Sequence, residues 1–405
     1  MQALRSFLGR VTVPLESRHK RSGLNTIFNG SALAFADYVT RTREMLGRAH
    51  YLTSDINREE VIVGNAPFEL KPPPGFIPGQ QKTYRRGILL THGLSDSPYS
   101  MRHLAAFFQQ SGFRVMVILL PGHGTQPGDL LDVGWQEWAK AVAYGVDRLA
   151  EEVDQVYLGG YSLGGTLSIY HSLGDSRVRG LFLFSPALQI SQWAAWANFH
   201  KLYSWLMPAQ KWIVIKPDRD IYKYESLPKN AAAQIYALTH ALRIQLQQPQ
   251  LQGLNIPIFA AASADDITVK ISATMKFMAG TRHPASKLVL YTTEPEKFPA
   301  DFPVEKLELV NSVIPEQKIL SSAHTATVIS PEDKHYGVAG EYANCVHYYP
   351  GEMEKYTACM TNPATNFQGE VTEKNLQVGI LQRLMYNPNF AALKVSMQQF
   401  IDKLP

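Results

Sequence analysis

The chain has 405 residues, 45% of them hydrophobic and 18% charged, with a formal net charge of +4. Such a chain buries a sizeable core, which excludes a disordered polar protein. Arg18, Lys20 and Arg21 form a small basic patch, but no dense basic stripe follows, so nucleic acid is not an expected partner. No run approaches the roughly 18 apolar residues that a membrane span needs. Arg5 and Arg10 interrupt the apolar residues of the N-terminus, which therefore lacks the apolar centre of a secretory signal. These features tilt the expected location to the cytoplasm and leave contact with a membrane surface and the oligomeric state open. Cys345 and Cys359 read as ordinary thiols of a reducing compartment, with one closed loop as the alternative in an oxidising one. A metal site on Cys345, His347 and Cys359 is disfavoured, because zinc ligands usually come at tighter paired spacing.

Residues 1–80 read as an N-terminal extension, mostly helical, with Phe35, Tyr38, Val39 and Met45 at roughly helical intervals. Lys71 to Gly75, rich in proline, is a stiff connector. From Gly87 the rhythm changes. Ile88, Leu89 and Leu90 form a short buried strand, and a helix follows with Met101, Leu104, Ala105 and Phe108 on one face and Gly112 at its end. The run 115–120 is apolar throughout and reads as a strand buried on both faces. Trp135, Trp138, Val142, Val146, Leu149 and Val153 form the clearest helical stripe. Further strands are expected at 156–158, 181–184, 258–261 and 288–291, and a last helix carries Phe390, Leu393, Met397, Phe400 and Leu404. Strands alternating with helices imply crossovers and a mainly parallel sheet.

One segment breaks this alternation. Residues 186–254 hold four of the six tryptophans, Trp193, Trp196, Trp205 and Trp212, together with Phe199, Tyr203, Tyr222 and Tyr224. An insertion of that size after a strand reads as a helical lid with its own small core, some of whose aromatics, Trp193 and Trp196 among them, face a ligand. The core is then 81–185 and 255–405.

Gly160-Tyr161-Ser162-Leu163-Gly164 fits G-x-S-x-G between a predicted strand and a predicted helix. A nucleophilic serine on so sharp a turn needs glycine on either side, and the turn lifts Oγ above the sheet. The backbone N–H of Leu163 then points at a developing oxyanion, and Tyr161 is placed to line the substrate pocket. A second backbone donor is needed, and the N–H of Leu94, in Thr91-His92-Gly93-Leu94, is the candidate. His92 reads as a structural histidine of that loop. The acid and base must follow in the order Ser, acid, His. Asp265 and Asp266 both follow the strand at 258–261 and compete for the acid. His324 lies in a late loop and is the expected base. His283 comes too soon after the acid, and His335 lies beyond the loop that reaches the site.

These stretches resemble the α/β-hydrolase superfamily, and within it the carboxylesterase and monoglyceride-lipase-like branch. His92 to Pro98, Leu120-Pro121-Gly122-His123-Gly124 and Gly160 to Gly165 carry the likeness. Asp266-Ile267-Thr268-Val269 looks like that branch's Asp-x-x-Val element. The match selects Asp266 as the acid and leaves Asp265 to solvent or to a helix cap. The resemblance covers roughly 85–340 and implies an α/β fold: a mostly parallel central sheet of about eight strands, flanked by helices. It also implies a serine hydrolase of carboxylic esters with medium or long acyl chains, a small-molecule ester or lipid as partner, and no cofactor or metal. His123 is expected to stabilise its loop. Thioesterase, peptidase and acyltransferase chemistry use the same three residues, and a non-catalytic binding module is the remaining alternative. The region around Tyr348, Tyr349 and Cys359 carries no functional expectation.

Overall fold

The computed structural model describes residues 13–25, 28, 32–50, 58–76, 78–189, 208–247, 254–297 and 302–404. Trp193 and Trp196, with Trp205, Phe199 and Tyr203, lie outside the described residues.

In chain order, α1 (Phe35–Ala49) and α2 (Arg58–Asn65) precede β1 (Phe68–Leu70) and β2 (Tyr84–Thr91). Then α3 (Arg102–Gln110), β3 (Arg114–Ile118), α4 (Trp135–Glu152), β4 (Val153–Tyr161), α5 (Leu163–Ser172) and β5 (Val178–Phe184) alternate. The described part of the insertion contains the antiparallel pair β6 (Trp212–Val214) and β7 (Leu227–Pro228), then α6 (Lys229–Leu246). The core resumes with β8 (Ile258–Ser263), α7 (Ile271–Ala279), β9 (Lys287–Thr292) and β10 (Leu307–Asn311). The tail adds α8 (Met353–Thr361), β11 (Phe367–Gly369), α9 (Glu373–Leu376), β12 (Leu381–Arg383) and α10 (Phe390–Ile401).

Eight strands form one sheet in the order β1-β3-β2-β4-β5-β8-β9-β10, parallel except for the edge strand β1. This is the α/β-hydrolase architecture that the sequence implies. The two faces are read off strand parity. Leu89, Leu158, Leu181, Leu183, Ile258 and Ala260 pack beneath α4, α5 and α6, whereas Ile88, Leu90, Tyr157, Phe182, Phe184 and Phe259 pack against α3 and α10. Burial on both faces is why these strands are unbroken apolar runs rather than alternating ones.

Two boundaries differ from expectation. Val153, expected to close the helical stripe of α4, is already extended (φ −127°) and starts β4, so helix passes directly into strand. The third strand ends at Ile118 rather than at Leu120. The Tyr38 hydroxyl accepts the Leu119 N–H and donates to the Leu119 carbonyl, and His92 Nε2 accepts the Leu120 N–H. Side chains thus satisfy the backbone that a ladder would otherwise have paired. Pairings of Thr91 with Gly160 and of Phe184 with Ala261 bring the C-terminal ends of the central strands to one edge, where the candidate site lies.

Candidate active site

Ser162 occupies the turn between β4 and α5 with φ 51° and ψ −112°. A non-glycine residue there carries about 1–3 kcal/mol of strain, and the surroundings must hold it. The Ser162 N–H donates to the Phe184 carbonyl (2.9 Å), and the Ser162 carbonyl accepts from Ala187 N–H (3.1 Å). Gly160 and Gly164 are needed because the chain folds back on itself. A Cβ on Gly160 would lie 2.1 Å from the Gly164 carbonyl carbon, and one on Gly164 would lie 2.0 Å from the Thr91 oxygen.

The side chains of Ser162, Asp266 and His324 meet although 162 residues separate the first from the last. Ser162 Oγ lies 3.0 Å from His324 Nε2, and His324 Nδ1 lies 2.6 Å from Asp266 Oδ2. The other Asp266 oxygen, Oδ1, accepts the N–H groups of Thr268 (2.7 Å) and Val269 (2.9 Å), so the turn after β8 aims the carboxylate. Burial pushes the Asp266 carboxyl up, but His324 and these amides outweigh it and hold it below its ordinary value. With Asp266 ionised, Nδ1 carries the proton and Nε2 is left to accept one from Ser162.

Asp265 neither caps a helix nor stays in solvent. It is partly buried, Lys270 occupies the N-cap of α7, and Oδ2 of Asp265 has no hydrogen-bond partner among the described residues. Burial raises its carboxyl above the ordinary value. The rival histidines lie elsewhere. His335 Nε2 is 3.3 Å from Asp220, and His283 Nδ1 accepts the Ala285 N–H at 3.2 Å.

The Leu94 loop is held by two buried histidines. His92 donates from Nδ1 to the Gly93 carbonyl (2.8 Å) and accepts Leu120 N–H at Nε2 (3.0 Å). His123 donates from Nδ1 to the Pro121 carbonyl (3.1 Å) and accepts Ser95 N–H at Nε2 (3.1 Å). Each ring must stay neutral to accept at Nε2. Burial keeps both so, lowering His123 to about 4 and His92 well below its ordinary value. Leu94 lies between these anchors, beside Ser95 with φ 60°. Leu163 opens α5, where the first N–H groups of a helix lack an intrahelical acceptor.

Tyr161 is buried, its ring centroid 5.3 Å from that of His324, and its hydroxyl donates to the His324 carbonyl at 3.2 Å. In the insertion, Tyr222 stacks on Tyr99 at 3.7 Å. The Tyr224 N–H donates to the Ser95 carbonyl (2.7 Å), and its hydroxyl accepts Thr125 N–H (2.7 Å). These two aromatics fasten the insertion to the loop that carries Leu94. Two charged residues that sequence reasoning did not single out also reach the site. Glu370 accepts the His324 N–H and pairs with Arg383, and Arg383 reaches the Asp266 turn. No motif announces them, since each is a lone charge in a tail without catalytic patterning. Asp96, buried within the Leu94 loop itself, is raised by burial to about 6. Cys345 and Cys359 are joined in a disulfide, and they are the chain's two cysteines, so the alternative with one closed loop holds.

Residues 82–293 match the protein family described as serine aminopeptidase, S33. A thermostable monoacylglycerol lipase of Bacillus sp. (strain H-257) is 32% identical over 109 residues, 27% of this chain and 44% of the lipase. A carboxylesterase of Bacillus subtilis (strain 168) is 29% identical over 85 residues, 21% of this chain and 35% of the esterase. Each match therefore spans less than half of the relative's length. Among solved structures, one of the metagenome-derived lipolytic enzymes LipS and LipT aligns with TM-score 0.46 and 22% identity, covering 56% of this chain and 87% of that one. The monoacylglycerol lipase of Paleococcus ferrophilus aligns with TM-score 0.43 and 17% identity, covering 56% and 88%.

Proposed function

Because this chain belongs to the serine aminopeptidase S33 family, we propose that it is a serine hydrolase that cleaves carboxylic esters through an acyl-enzyme on Ser162. The observation that carries this reading is one imidazole, that of His324, lying 3.0 Å from Ser162 Oγ and 2.6 Å from Asp266 Oδ2. The likeness to a monoacylglycerol lipase and a carboxylesterase supports an ester or lipid substrate over an amide.

In this reading Ser162 Oγ attacks the ester carbonyl as its proton passes to His324 Nε2. Asp266 stabilises the imidazolium. The Leu94 and Leu163 amides receive the oxyanion, each donor accounting for roughly 3–4 kcal/mol of transition-state stabilisation. His324 then protonates the leaving oxygen as the carbon–oxygen bond breaks. Water attacks the acyl-Ser162 while giving a proton to His324, and that proton returns to Oγ as the acid departs. These steps need no metal or organic cofactor. Residues 186–254 act as the lid over a core of 81–185 and 255–405 preceded by the 1–80 extension.

The test is hydrolysis of p-nitrophenyl esters from acetate to palmitate, alongside an aminoacyl p-nitroanilide, by the wild type and Ser162→Ala. Ester turnover that falls on the order of 10⁶-fold in Ser162→Ala is expected. A folded wild type inactive on every ester would overturn the reading, and Ser162-dependent anilide turnover would replace it with amide chemistry.

A further inference from the structure

The family match ends at residue 293, and the C-terminal stretch from about 335 onward reaches the two loops that carry Asp266 and His324. Strands β11 and β12 pair in parallel, with Gly369 opposite Arg383. Glu370 leaves the end of β11, and Arg383 ends β12. Glu370 is wholly buried. Its Oε2 accepts the backbone N–H of His324 (3.0 Å) and an N–H from Arg383 Nη2 (3.0 Å). Its Oε1 accepts Val371 N–H (2.9 Å) and lies 2.8 Å from Arg383 Nε. Arg383 Nη2 also donates to Thr268 Oγ1 (2.8 Å), and the Thr268 N–H holds Asp266 Oδ1.

A buried carboxylate is costly unless it is paired and fully hydrogen-bonded, and this one is both. The arrangement is a closed circuit. From His324 it runs through Glu370, Arg383 and Thr268 to Asp266, and Asp266 returns to His324 through Nδ1. The planar guanidinium meets Glu370 along its edge, with Nε beside Oε1 and Nη2 on Oε2, while Nη2 also donates to Thr268 Oγ1; a lysine ammonium has three donors but cannot reproduce that two-nitrogen edge. The pair is itself anchored. Gln368 N–H donates to the Lys318 carbonyl (2.9 Å), Leu320 N–H to the Gln368 carbonyl (2.8 Å) and Glu370 N–H to Ser321 Oγ (3.1 Å), all within the loop leading to His324. Asn344 accepts the Arg383 N–H (2.9 Å) from the other side.

We propose that Glu370 and Arg383 are positioning residues that hold the loop of Asp266 and the loop of His324 in register, so that the tail completes the acid–base half of the site. The proposal rests on the reading of Ser162, Asp266 and His324 given above. Neither residue touches Ser162 or a reacting atom, and both act through the backbone and turn they hold. A misplacement near 1 Å at a reacting group can cost roughly 100-fold in rate.

The test compares Glu370→Gln, Arg383→Lys and the double variant Glu370→Gln/Arg383→Met with the wild type. Two readouts are taken: kcat and KM on the ester series, and the strongly deshielded NMR signal of the His324 Nδ1 proton. That proton reports the Asp266 hydrogen bond without any substrate. The expected result is kcat lower by roughly 10- to 100-fold, KM within about twofold, and the Nδ1 proton shifted or broadened. If a single variant leaves a buried charge unpaired and fails to fold, the double variant, which removes both charges, decides. A folded double variant with unchanged kcat and an unchanged Nδ1 signal overturns the proposal. If the wild type cleaves no ester, the functional reading fails, and the Nδ1 signal still judges the positioning role.

Discussion

His123 is buried without charge, and protonating it would turn the acceptor of the Ser95 N–H into a second donor facing it. Its pKa in the folded chain is lowered by burial from 6.5 to about 4. The folded protein therefore binds fewer protons than the unfolded chain between those values. Stability from this group is fully present above about pH 6.5 and is lost as pH falls through about 4. At 1.36 kcal/mol for each pH step, the full effect is about 3 kcal/mol, and about 2 kcal/mol of it disappears between pH 7 and about pH 4.5. His123→Gln can still accept the Ser95 N–H through its amide oxygen, but it cannot titrate. Urea unfolding of both proteins across that range gives the stability difference as a function of pH. Wild type should lead at pH 7, and the lead should shrink by about 2 kcal/mol at the acid end. A difference constant to within about 0.5 kcal/mol would show that His123 does not carry this linkage. His92, lowered chiefly by burial and further by the neighbouring His123, adds to the wild-type slope.

Two further expectations follow from contacts already described. Gly164→Ala places a methyl group 2.0 Å from the Thr91 oxygen, so the end of β2 or the serine turn must move. Such overpacking costs about 1–3 kcal/mol in stability, and displacing the Leu163 and Leu94 amides proposed to receive the oxyanion should lower kcat by roughly 100- to 1000-fold. A variant with wild-type kcat would refute the role of that turn. Breaking the Cys345–Cys359 bond, by reductant or by Cys359→Ser, releases a loop of sequence separation 14 and should cost about 3 kcal/mol. Thermal melting with and without reductant reads this directly, and unchanged melting would mean that the reduced loop stays as ordered as the bridged one.

The serine turn was legible because its chemistry is local. A sharp strand-to-helix turn demands small residues at fixed offsets, and Gly160 and Gly164 stand where the chain folds back on itself. The buried strands were legible too, since burial on both faces leaves apolar runs such as 115–118 that no exposed segment tolerates. His92 and His123 could be read as structural from their place in the loops, but the neutral state that lets them hold those loops follows from burial. Asp266 and Asp265 were equal by position after β8, and the resemblance to a known element separated them. In three dimensions the reason is visible: the Thr268 and Val269 amides and His324 all converge on the Asp266 carboxylate.

The amino-acid sequence by itself determined the strand rhythm and the glycine-flanked serine, because periodicity and turn sterics act over a few residues. Tertiary structure alone decided that Cys345 and Cys359 are bonded and that Tyr224 fastens the insertion to the Leu94 loop. It alone brought Glu370 and Arg383 to the acid and base loops. Each of these is a pairing between residues far apart in the chain, and a single side chain carries no local mark of the partner it will meet once the sheet has closed the distance.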